Sequence, residues 1–140
     1  MFAAAAVAVI ALVAGLLVGQ ALRNQPAPPA TSVARYTLTG HAGMTGAQAT
    51  VVDLKTDGVA LVDFRGLPAL PPGRVYELWL IPAKGSPEAV AVFVPDSGGA
   101  KIVLVGKSVS GYIEIAVTNE PGPDGSSAPT QQPQLYGKLA

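Results

Sequence analysis

The chain has 140 residues, enough for one compact domain and an appendage. Hydrophobic residues make up 49% and charged residues only 13%, a low share for a fully water-exposed domain, and the apolar excess sits at the start. Basic and acidic side chains balance to zero net charge, so there is no basic stripe for nucleic acid. The lack of cysteine excludes disulfides, thiolate catalysis and cysteine-ligated zinc.

Phe2 to Leu22, FAAAAVAVIALVAGLLVGQAL, carries no charge. At ~1.5 Å per residue a helix of this length crosses a ~30 Å hydrocarbon core, so residues 1–23 are expected to form a transmembrane helix. A signal peptide is the rival reading. Gly19 and Ala21 are small enough for a cleavage site, but the segment before the apolar run has no Lys or Arg and the run exceeds a usual h-region. Gly15 and Gly19 form a GxxxG pattern at which two helices can approach, a route to a homodimer. Arg23 is the one charge close to the helix, and taken alone it would keep that side cytoplasmic. Residues 24–32, NQPAPPATS, place Pro26, Pro28 and Pro29 in a segment that reads as an extended linker holding a domain off the membrane.

From Val33 the pattern changes to short runs of β-type residues separated by turn residues. Eight strands are expected: ARYTLTGH, AQATVVDL, VALVDFRG, RVYELWLI, AVAVFV, AKIVLV, YIEIAVT and PQLYGKLA. Asp57-Gly58 marks a hairpin turn, since glycine accepts positive φ. LPALPPG, before the fourth run, is too rich in proline to be a central strand. The expected fold for 33–140 is an all-β, antiparallel sandwich of two packed sheets. AVAVFV and AKIVLV are apolar on both faces, more than one sandwich face requires.

No constellation in the sequence points to catalysis. His41 is the single histidine, so a zinc or copper site has too few donors, and a serine nucleophile has no other conventional base. GPDGSS is not a nucleophile elbow, and no phosphate-cradling glycine motif opens a helix. Glu120 and Asp124 could be read as a carboxylate pair, and Asp96 and Asp124 as weak calcium donors. Acids beside Pro and Gly more often cap backbone amides. The expectation is no enzyme activity, no metal and no cofactor.

Two stretches carry more information. GLPALPPGRVYELWLIP, Gly66 to Pro82, sets a Tyr-x-Leu-Trp-Leu strand after a proline-rich approach. VTNEPGPDGSSAPTQQPQLYGKL, Val117 to Leu139, has Val-Thr-x-Glu-Pro, a Gly/Ser turn and Pro-Thr before a last strand. In order and spacing they resemble the extracytoplasmic C-terminal domain of the anti-sigma-K factor RskA family, over nearly all of 33–139. The motif residues are Tyr76, Leu78, Trp79, Leu80, Val117, Thr118, Glu120, Pro121, Pro129 and Thr130. Ala91 stands where that family more often has glycine, and EPGPDGSS carries an extra proline and acid in the turn.

The resemblance implies a single-pass protein of the cell membrane with its C-terminal domain outside. It also implies a sigma factor as partner and regulated proteolysis by membrane proteases. Only Met1 precedes the apolar run, so the family's sigma-binding segment is expected to be missing or supplied by another polypeptide. The alternative is a stand-alone extracytoplasmic module binding cell-wall polymer or a small ligand. Within RVYELWLI, alternation sets Tyr76, Leu78 and Leu80 toward the core and Trp79 on the other face with Glu77, under a loop or strand. Glu120 is expected to accept backbone hydrogen bonds that fix its turn, which Pro121 and Pro123 stiffen.

Overall fold

The computed structural model describes Pro26, Ala27, Ala30 and Ser32–Ala140. The expected helix over 1–23, its Gly15/Gly19 contact and most of the linker lie outside the described residues. Among the described residues no helix is long and apolar enough to cross a membrane. Thr31–Ala140 make one compact unit.

The eight expected strands form: β1 (Val33–Gly40), β2 (Gln48–Leu54), β3 (Val59–Arg65), β4 (Arg74–Pro82), β5 (Glu88–Phe93), β6 (Lys101–Val105), β7 (Tyr112–Pro121) and β8 (Leu135–Lys138). All ladders are antiparallel. The turn at Asp57-Gly58 is as expected: Gly58 has φ of 66°, and the amides of Asp57 and Gly58 both donate to the Leu54 carbonyl.

Two separate sheets are not formed. The strands make one sheet in the order β5-β4-β7-β8-β1-β2-β3-β6, curled so that β5 and β6 approach each other into a nearly closed, barrel-like sheet. The cause is β8. Though only four residues long, it pairs with β7 on one side and β1 on the other, joining what would otherwise be a three-stranded and a four-stranded sheet.

Period-two alternation puts one side of each strand inside. Val51, Val62, Phe64, Leu78, Leu80, Ile115, Val117 and Leu135 are fully buried in one core cluster, together with Leu38, Met44 and Tyr76. Burying each such side chain stabilises the fold by about 1.5–3 kcal/mol. Phe93 stacks on Phe64 at a centroid separation of 4.7 Å and tilts against Tyr76 at 5.8 Å. The Tyr76 hydroxyl donates to the Pro68 carbonyl at 2.9 Å, so the proline-rich connection is tied to the core. The second apolar face of AKIVLV turns outward: Ile102 is 65% and Leu104 63% exposed.

One strand departs from the one-sided pattern. β4 is buried at every position from Val75 to Leu80, because its outward face is covered too.

Candidate functional site

The cover over β4 is the connection from β7 to β8, residues 122–134, here called the strap. It leaves β7 at Pro121, where the Gly122 amide donates to the Gly73 carbonyl at 2.8 Å. It returns where the Gln134 amide donates to the Val117 carbonyl at 3.1 Å. Beneath it lie the outward residues of two paired strands, in the register Val75↔Glu120, Glu77↔Thr118 and Trp79↔Ala116. Ala116 opposite Trp79 leaves room for the indole, which is 1% exposed and stands outside the main core cluster.

A polar chain runs across this face. The Trp79 indole Nε1–H donates to Thr118 Oγ1 at 2.9 Å, and that hydroxyl donates to Glu120 Oε1 at 2.5 Å. The indole can only donate and the ionised carboxylate can only accept, so the Thr118 hydroxyl accepts from one and points its proton at the other. Glu120 Oε1 also accepts the Thr130 amide at 3.0 Å, while Oε2 accepts the hydroxyls of Thr130 at 2.6 Å and Ser126 at 2.9 Å. Two donors on each oxygen use the acceptor capacity of the carboxylate. Glu120 is 0% exposed, and charge-assisted bonds of this kind are the strong ones.

Glu77, 2% exposed, lies beside it. Its Oε2 accepts the Ser126 amide at 2.7 Å, so Ser126 ties the strap to both carboxylates. Gly125 packs directly on the Glu77 carboxylate with φ of 79°, and a Cβ there would collide with it. Burial pushes the Glu77 carboxyl above its usual range; the Ser126 amide opposes this and the neighbouring Glu120 adds to it. Burial also acts to raise Glu120. The hydroxyl of Thr118, the hydroxyl and amide of Thr130 and the hydroxyl of Ser126 together outweigh it, so Glu120 ends below its usual range. Two adjacent carboxyls are thus pushed in opposite directions by the donors each has.

Below the strap, Trp79, Ile81, Pro87, Pro129, Thr130 and Pro133 help line a groove of about 400 Å³. A second, open depression of about 720 Å³ lies over β3 and β6 among Asp63, Arg65, Asp96 and Lys101.

The structure gathers five motif residues at one place: Trp79, Thr118, Glu120, Pro129 and Thr130. Tyr76, Leu78, Leu80 and Val117 belong instead to the core on the other side of the sheet, and Pro121 is an exposed strand end. Glu120 accepts a backbone amide as expected, and three hydroxyls besides. Asp124 is exposed. Asp96 Oδ1 caps its own turn by accepting the amides of Gly98 and Ala100. His41 stacks on Tyr136 with ring centroids 4.1 Å apart. Its ring makes no hydrogen bond to a serine or carboxylate among the described residues.

Three residues escaped sequence reasoning. Glu77 and Ser126 complete the strap cluster, and Glu77 was visible only as an acid sharing the tryptophan's face. Asp53 is a separate buried carboxylate, inward on β2 and 0% exposed. It accepts the Ser108 hydroxyl at 3.0 Å, the Ser110 hydroxyl at 3.1 Å and the Val109 amide at 3.3 Å, so it holds the 106–111 turn, whose Val109 is buried in the core. Its signal was an acid in phase with Ala49 and Val51 in AQATVVDL.

Fold and site together define a class: an antiparallel, single-sheet β-domain with its motif-bearing loop clamped to its own sheet by a buried carboxylate. The family model described as "Anti-sigma-K factor rskA, C-terminal" matches residues 1–134, and the chain belongs to that family. No curated protein and no solved structure matches the chain.

Proposed function

We propose that the chain is the membrane-anchored regulatory domain of an anti-sigma factor. Phe2 to Leu22 crosses the cell membrane once, residues 24–32 space the domain from it, and residues 33–140 face outward. The domain is noncatalytic. It governs, through regulated proteolysis by membrane proteases, a sigma factor held by a cytoplasmic segment on a longer or separate polypeptide. The observation that carries this reading is the family match, which takes in the apolar start as well as the β-domain. The strap cluster supports the noncatalytic part, because Glu120 has no free lone pair with which to act as a base. The test is purification of the tagged full chain from membranes under several stresses. Recovery of a sigma factor or an anti-sigma partner is expected, and recovery of neither would refute the reading.

A second reading, a stand-alone module for cell-wall polymer or a small ligand, is favoured by the groove beside Trp79. Sedimentation of the full chain with purified wall polymer, abolished by substitution of Ile81 or Pro87, would support it.

A further inference from the structure

The strap is the longest connection between strands in the described domain, and its hold depends on two buried carboxyls. No Lys, Arg or His among the described residues lies within ion-pairing distance of either carboxyl; the ion pairs are Arg65–Asp63 and Lys107–Glu88. The charged groups on the surrounding elements do not compensate the pair. On β4, Arg74 is engaged by Asn119, through Oδ1 at 2.7 Å and the carbonyl at 2.6 Å. On β7, Glu114 is the next acid along the outward row, opposite Lys138 of β8. The strap contributes only Asp124, which is exposed, and β5 sets Val92 opposite Glu77. Two buried negative charges bridged by one serine repel each other with nothing nearby to offset them.

We propose that the strap is a proton-operated latch: one proton on the Glu77–Glu120 pair seats it, and loss of that proton loosens it from the β4–β7 face. The donors decide which carboxyl takes the proton. Glu120 faces hydrogen-bond donors on both oxygens and has no place for a proton, whereas Glu77 has one hydrogen-bonded donor, the Ser126 amide.

The signs follow from these environments. Glu77, raised in the folded state, opposes folding of the strap when ionised, so the strap gains stability as pH falls through the raised value. Glu120, depressed, contributes stability above its unfolded value and loses it as pH falls through the depressed one. The strap is therefore tightest in mild acid and looser on both sides. Loosening bares Trp79 and the groove, which a partner or protease could then reach. The latch rests on the placement and environments of these two carboxyls and holds whether or not the anti-sigma reading does.

Trp79 is the sole tryptophan and lies under the strap, so its accessibility reports the latch directly. In the detergent-purified full chain, acrylamide quenching of Trp79 is expected to rise severalfold as pH is taken upward from mild acid through the raised Glu77 value, with the far-UV β signal unchanged. Glu77→Gln, neutral and isosteric, should abolish that rise and stay at the low, seated level. Ser126→Ala, which removes the hydroxyl bonded to Glu120 and keeps the amide bonded to Glu77, should start from a higher level in mild acid. Flat quenching in the wild type would overturn the proposal whatever the variants do. So would a rise that survives in Glu77→Gln, or one that accompanies loss of the β signal.

Discussion

Asp53 and Glu120 are both fully buried carboxylates that hold a loop, yet they do so on opposite sides of one sheet. Asp53 points into the barrel and gathers its three donors from a single turn, Ser108 to Ser110. Glu120 points outward and gathers four, one from its own strand and three from the strap. The first fixes a turn whose Val109 packs into a core that is apolar elsewhere. The second, with Glu77, forms a polar layer that replaces solvent over β4 and β7. A buried charge can therefore serve as a plug or as a clamp, and the origin of its donors separates the two. Local donors fix a turn, whereas donors from a long connection fix how a distant segment lies on the sheet.

A substitution common to both regions should have the largest effect. Leu78 is inward on β4 and belongs to the shared core, so Leu78→Ala should cost about 2–5 kcal/mol in denaturant unfolding. An unchanged midpoint would remove Leu78 from the core. Next comes the contrast itself. Glu120→Ala leaves the donors of Thr118, Ser126 and Thr130 without their acceptor and should cost about 3 kcal/mol. It should also shift Trp79 emission to the red. Asp53→Ala should cost about 2 kcal/mol and leave Trp79 emission in place. If Asp53→Ala shifted the tryptophan as much as Glu120→Ala does, the two clamps would not be separate.

Gly125→Ala sharpens the clamp side. The new Cβ meets the Glu77 carboxylate and the residue must keep a positive φ, so a loss of about 1–3 kcal/mol confined to the strap is expected. Exchange of the strap amides should quicken while those of β2 and β3 do not. Smallest is Thr118→Val, which breaks the link between Trp79 and Glu120 at about 1 kcal/mol and should alter the indole's near-ultraviolet signal.

The strands were legible because their alternation is local, and the turn at Gly58 needed only its own dipeptide. The two-sheet expectation failed at β8. LYGK reads as a short last strand, but nothing within it says that it pairs with β7 and β1 at once. The site was legible in part. Val-Thr-x-Glu-Pro and Pro-Thr marked the right loop, and alternation put Trp79 on the outward face. Glu77 and Ser126 carry no motif of their own, since their meeting depends on a 13-residue connection folding back to bring together residues 49 positions apart. Asp53 was an acid on an apolar face, a signal that needs a partner to be interpreted. Its serines lie more than fifty residues away.

The central claim is that the family motif is a clamp, and amide hydrogen exchange at Ser126 and Thr130 tests it most directly. Both amides donate to buried carboxylates, so in the wild-type chain in mild acid, where the strap is seated, they should be protected nearly as well as the core strands. In Glu120→Ala that protection should vanish while β1 to β3 keep theirs. Exchange of these two amides at free-loop rates in the wild-type chain in mild acid would contradict the account.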